Sequence, residues 1–254
     1  DLIIMLNKLI KFFKSISTLK KFVKTFFSKK FIHKVTNSSY FWRFRHLYDP
    51  RWIESYDCKS TNNYLLEFVS SKKVSSVLDF GCGTGNFLYD LTKQRTPNTL
   101  FYGVDISSKA IERCKSKFEE LELSKKTYSF YRSCDEKHIN DFLIENKINN
   151  FDLVVFDRVL YCLKENELID QLGILTKYAK FILIDDFQLD NDIKYCSLYK
   201  HRNWISIMNA LNFTCESNIS TMHSTVNEIN ERLIDDANPR TLVFKNLKPN
   251  TLPN

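Results

Sequence analysis

Beyond residue 75 the chain alternates between short, nearly continuous apolar runs and longer stretches with helical apolar spacing, the pattern of strands feeding helices around a parallel sheet. The runs predict strands at Ser76–Phe80, Leu100–Val104, Tyr128–Arg132, Asp152–Phe156, Phe181–Ile184, Phe213–Ser217 and Thr241–Phe244. The periodic stretches predict helices at Asn86–Lys93, Ser108–Leu121, Lys164–Tyr178 and Lys200–Leu211. Ser107 or Ser108 is placed to cap the second helix, and the apolar run Val159–Leu163 leads into the third. Between residues 48 and 71, Trp52, Tyr56, Tyr64 and Leu65 suit one or two helices laid against the sheet. Residues 247–254 read as a polar tail.

The first 47 residues have another texture. Leu2, Leu6, Leu9, Phe13, Ile16, Val23 and Phe26 recur at near-helical spacing, and lysines 8, 11, 14, 20, 21 and 24 crowd the remaining positions. The expectation is a basic amphipathic helical arm. Its longest apolar run, Leu2–Leu6, falls far short of the roughly 20 residues that span a bilayer, and lysines interrupt every candidate signal-peptide core. Residues 1–51 hold 12 Lys and Arg against two acids, a charge of +10, while the 25 basic and 28 acidic residues downstream leave −3. Residues 1–36 therefore suit an anionic membrane surface or packing on the main domain, with the phosphate backbone of nucleic acid ranked behind both.

The composition, 43% hydrophobic and 26% charged over 254 residues, excludes disordered and fibrous classes. Seven cysteines without a C-x-x-C pair point to a reduced, cytoplasmic compartment and to no metal site. The chain opens on Asp1 with its first methionine at Met5, which leaves its natural start undefined.

Candidate chemistry sits where glycine is concentrated. Only five glycines occur, and three of them, Gly81, Gly83 and Gly85, follow the first strand directly. A strand-to-helix turn this rich in glycine lets backbone approach a ligand. Asn86 stands where a dinucleotide fingerprint requires its third glycine, and no Gly-Lys-Ser/Thr exists for a phosphate loop. The segment Asp79-Phe80-Gly81-Cys82-Gly83-Thr84-Gly85 resembles the first motif of class I S-adenosylmethionine-dependent methyltransferases, acid-x-G-x-G-x-G. The chemistry agrees with that cofactor, which carries an ammonium, a carboxylate, a sulfonium and a ribose diol but no phosphate. Asp79 would attract its cationic tail and would repel a pyrophosphate. Asp105, twenty residues after Gly85 in Tyr102-Gly103-Val104-Asp105-Ile106, is placed to accept the ribose hydroxyls.

The resemblance implies further positions. Cys134 and Asp135, after the third strand, fall where the family contacts adenine, and Phe151–Leu163 resembles its fourth motif, with Phe156 and Ile106 on the cofactor side. Two absences weigh against nucleobase methylation. No Asn/Asp-Pro-Pro-aromatic follows strand four, where Asp157-Arg158-Val159-Leu160 stands, and no Pro-Cys nucleophile occurs. The Pro-Gly-Gly turn of many relatives is replaced by Lys177-Tyr178-Ala179-Lys180.

The catalytic candidates are Asp157, at the end of strand four, and His201, before the sixth strand; Asp185 and Asp186 close the fifth strand. Tyr40, Trp42, Tyr48 and Trp52 either pack the arm or lid the cofactor. The expected architecture is a Rossmann-like, seven-stranded, mostly parallel sheet with helices on both faces and a reversed last strand. It occupies residues 76–246, after the arm (1–47) and a helical lead-in (48–75), with the tail at 247–254. The expected function is methyl transfer from S-adenosylmethionine to a small-molecule, glycan or lipid-linked acceptor. The alternatives are an RNA or protein methyltransferase docking through the arm, and a protein that binds the cofactor without catalysis.

Overall fold

A computed structural model describes residues 41–42, 59–93, 99–121, 128–132, 136–190, 201–220 and 239–248. The arm apart from residues 41–42, the lead-in before residue 59, the end of the tail, and Cys134 and Asp135 lie outside the described residues. The described residues all belong to one compact unit, Ser39–Asn254.

Its elements run α1 (Lys59–Ser71), β1 (Ser76–Phe80), α2 (Asn86–Lys93), β2 (Leu100–Asp105), α3 (Ser108–Glu119), β3 (Tyr128–Arg132), α4 (Glu136–Glu145) and β4 (Phe151–Asp157). A 3₁₀ turn (Leu160–Cys162), α5 (Glu165–Tyr178), β5 (Ala179–Phe187), α6 (Trp204–Ala210), β6 (Phe213–Ser220) and β7 (Pro239–Asn246) follow. The sheet order is β3-β2-β1-β4-β5-β7-β6. Strands β1 to β5 are parallel, and β7 is antiparallel to both its neighbours.

Strand alternation divides the core in two. On one face Val77, Phe101, Leu153, Val155, Leu183 and Val243 meet Leu65 and Phe68 of α1, Leu88 and Leu91 of α2, and Cys114 and Phe118 of α3. On the other, Leu78, Val154, Phe156, Ile182, Ile184 and Phe244 meet Phe142 of α4, Leu168 and Leu172 of α5, and Trp204 and Met208 of α6. β1 is buried along its whole length and β4 nearly so, which is why both lack a regular apolar-polar alternation, with Val77 and Leu78 in β1 and Leu153 to Phe156 in β4 as continuous apolar stretches. Their central, adjacent position creates the topological switch: connections from β1 and from β4 leave in opposite directions, opening a crevice at the carboxyl ends of these strands.

Ser107 is the cap of α3, its hydroxyl accepting from Ala110 N. α6 is shorter than its spacing predicts, because Asn203 caps it and accepts a hydrogen bond from Ser206 N. β5 is longer: Asp185 and Asp186 continue the strand and pair with Thr241 and Arg240 of β7.

Candidate active site

The glycine turn after β1 is built by its backbone. Gly81, Gly83 and Gly85 have φ of +82°, +54° and +74°, a left-handed conformation that side-chain-bearing residues adopt at a cost. Gly81 N and Cys82 N donate to Val104 O at 2.8 and 3.1 Å, and Gly83 N donates to Asp105 Oδ2 at 3.0 Å, so the turn is fastened to the end of β2. The space left by the missing side chains is largely taken by protein. A methyl on Gly81 would stand 2.6 Å from Val159 Cγ2, one on Gly85 would overlap Cys114 Sγ, and one on Gly103 would stand 2.7 Å from the Phe130 ring and 2.9 Å from Cys82 Sγ. These three glycines thus serve close packing and turn geometry. The buried Cys82 thiol also lies in that packing, leaving its backbone as the part available to a ligand.

Four carboxylates converge on one sheet face. Register pairs Asp79 with Gly103 and Val155, and Asp157 with Asp185; strand alternation then sets Asp79, Asp105, Asp157 and Asp185 on the side of α1, α2 and α3, at the carboxyl ends of β1, β2, β4 and β5. Asp79 is 3% exposed, and no hydrogen bond to its carboxyl is found among the described residues. Burial, and secondarily the charge of Asp105, pushes it up to about 8. Asp105 accepts from Gly83 N and from Ser107 N, at 3.0 and 2.7 Å, so it organises both the glycine turn and the start of α3.

Asp157 receives Arg158 Nε at 2.9 Å, and its side chain keeps 18% exposure. Burial pushes its carboxyl well above the usual range, and Asp185, Asp79 and Asp186 add to the effect. Asp185 is fully buried and accepts from Thr241 Oγ1 at 3.1 Å. Asp186 points to the opposite face and accepts from Tyr161 N and Phe187 N at 2.9 and 2.8 Å. Burial raises it to about 7 despite those two bonds and the nearby Arg202.

The remaining expected residues are spread around this rim. Ile106 is half-buried, and its carbonyl accepts from Arg132 Nε at 3.4 Å. Phe80 and Phe156 are core residues on the α4–α6 face with ring centroids 5.4 Å apart, so their side chains face away from Asp79 and only their backbones border the crevice. His201 is half-buried with its ring 5.7 Å from Phe187, at the end of β5. Three residues that spacing did not single out complete the rim. Val159 lies on Gly81, Tyr161 meets Phe187 edge to face with ring centroids 5.5 Å apart, and Arg202 donates to Leu160 O and Leu163 O at 2.7 and 2.8 Å.

A buried carboxyl without a donor, beside a left-handed glycine turn and a carboxylate at the end of β2, fits a nucleoside whose tail is cationic and fits a phosphate poorly. Fold and site together define the class I S-adenosylmethionine-dependent methyltransferases. The comparisons agree: the methyltransferase domain family matches residues 71–233. No curated protein sequence matches at a significant level.

Solved structures of similar fold include the methyltransferase domain of bacterial CtHen1-C, with 18% identity and a TM-score of 0.54 over 73% of this chain and 96% of that one. The magnesium protoporphyrin IX methyltransferase of Synechocystis PCC 6803 with bound S-adenosylmethionine has 16% identity and a TM-score of 0.56 over 86% and 96%. An O-methyltransferase family protein of Burkholderia thailandensis has 12% identity and a TM-score of 0.52 over 80% and 61%. The chain belongs to the methyltransferase domain family, and its cofactor is S-adenosylmethionine.

Proposed function

We propose that this methyltransferase acts on a small-molecule, glycan or lipid-linked acceptor, which Asp157 orients and, for a hydroxyl, deprotonates. The observation that carries the reading is the place of Asp157: partly open at the carboxyl end of β4, beside the glycine turn, with a carboxyl raised well above its ordinary value. When bound, S-adenosylmethionine supplies an electrophilic methyl group on its sulfonium. Asp79 would hold the cationic tail. Asp105, held at the end of β2 by Gly83 N and Ser107 N, would accept the ribose hydroxyls. In-line transfer would require the bound acceptor, methyl and sulfur to be held collinear at this rim. A carboxyl raised above its ordinary value is a more basic proton acceptor for a hydroxyl than an ordinary aspartate.

A small acceptor is supported by the absence of nucleobase-methylating motifs after β4, and by the fold's use in the Synechocystis protein for a porphyrin. Asp157→Asn is expected to keep S-adenosylhomocysteine affinity and to lower methyl transfer into the small-molecule fraction of a cell extract by about 10²- to 10⁴-fold. A variant that transfers at the wild-type rate would remove Asp157 from the chemistry.

The +10 charge of residues 1–51 supports peripheral contact of residues 1–36 with an anionic membrane surface, where a lipid-linked acceptor would be met. The same charge supports the second reading, an RNA or protein acceptor docked through the arm.

A further inference from the structure

The segment that joins β4 to α5 touches both halves of the site. At its start Arg158 takes a left-handed backbone, φ +52°, with its N–H donating to Asp185 O at 2.8 Å and its guanidinium turned back onto Asp157. The next residue, Val159, fills the space over Gly81 that a side chain there would need. The 3₁₀ turn then closes on itself, Cys162 N donating to Val159 O and Leu163 N to Leu160 O, both at 3.1 Å.

Two charged groups from elsewhere in the chain hold this segment down. Asp186 accepts Tyr161 N at 2.9 Å, and Arg202, 5% exposed, spans the turn with one nitrogen on Leu160 O and another on Leu163 O and Glu165. Arg202 is itself anchored. Its N–H donates to Phe187 O at 3.2 Å, its carbonyl accepts from Leu189 N at 2.8 Å, and its guanidinium lies 5.5 Å from the Trp204 ring. A buried guanidinium that satisfies two carbonyls 39 and 42 residues away fixes a segment that local propensity leaves irregular.

We propose that Arg202 and Asp186 are positioning residues, holding Arg158–Leu163 as a strap whose Val159 locks the cofactor loop at Gly81 while its first residue places Asp157 at the acceptor. The proposal rests on the glycine turn being the cofactor loop. Neither residue touches the cofactor; both act through Val159 and the backbone of the strap.

The test is a double-mutant cycle read by calorimetric affinity for S-adenosylhomocysteine, with circular dichroism confirming the fold. Arg202→Met keeps the packing bulk and removes the donors. Asp186→Asn keeps the shape and leaves one acceptor oxygen for two N–H groups. Val159→Ala strips the two methyl groups that lie over Gly81 and leaves the hydrogen bonds intact. Each is expected to weaken binding by about tenfold, and Arg202→Met combined with Val159→Ala to weaken it no more than the stronger single change, because both act on one contact. If Arg202→Met does not fold, Asp186→Asn combined with Val159→Ala serves as the cycle. Losses that multiply in the cycle, or folded variants that bind as the wild type does, would overturn the strap and reduce Arg202 to a stability role. A wild-type protein that fails to bind S-adenosylhomocysteine would instead overturn the cofactor-loop reading beneath it.

Discussion

Asp79 is a carboxyl in a location that disfavours its charge. Unfolded, its carboxyl ionises near 3.8; folded, burial and Asp105 keep the proton on until about pH 8. The folded, ligand-free protein therefore holds more protons than the unfolded chain between those values, and its stability falls as pH rises through that window. Asp186, raised to about 7, contributes in the same direction over a narrower range. Asp79→Asn is expected to flatten much of the decline, giving a smaller difference between melting temperatures at pH 5 and pH 8 than the wild type shows. A decline of unchanged size would mean that Asp79 is ionised at neutral pH. The cofactor's ammonium should reverse the burden by favouring the carboxylate, so binding near pH 7 should release a proton, visible as a dependence of calorimetric heat on buffer ionisation enthalpy.

At the scale of elements, the glycine turn and its two flanking acids were legible because their spacing is local: strand, acid, three glycines, then a second acid at the end of the next strand. The strap was not legible, because its fixing contacts join residues 25 to 42 positions apart and only the folded sheet brings them together. Asp185 and Asp186 look like a strand end, yet they remain in β5 because they pair with Thr241 and Arg240 of β7, Thr241 also donating to Asp185 and Tyr161 N and Phe187 N to Asp186. α4 was passed over: Ile139, Phe142 and Leu143 carry its apolar face with the spacing of a helix, but among polar and charged neighbours they make a weak signal. The reading of glycine as ligand clearance needed amendment at Gly81 and Gly85, where Val159 and Cys114 hold the space. For the turn itself the expectation is plain. Gly83→Val places a β-branched residue at φ +54° in the centre of the loop, and should abolish cofactor binding with near-native circular dichroism. Normal affinity in that variant would take the turn out of the site.

For the whole molecule, charge separates the chain into a +10 arm and a −3 remainder, and no helix among the described residues is long and apolar enough to cross a membrane. If the arm meets anionic lipid, the full-length protein should adsorb to vesicles containing phosphatidylserine at low salt and leave them as salt rises, since screening shortens to about 8 Å at physiological ionic strength. Equal binding to neutral vesicles, or none to anionic ones at low salt, would contradict contact with anionic lipid. The fold, the cofactor turn and the raised carboxyl of Asp157 lead to one central claim, that the protein methylates a small or lipid-linked acceptor. The most direct measurement incubates the protein with methyl-tritiated S-adenosylmethionine and a fractionated cell extract. The account predicts label in the small-molecule or lipid fraction with the wild type and its loss with Asp157→Asn; label confined to RNA or protein, or no transfer at all, would contradict it.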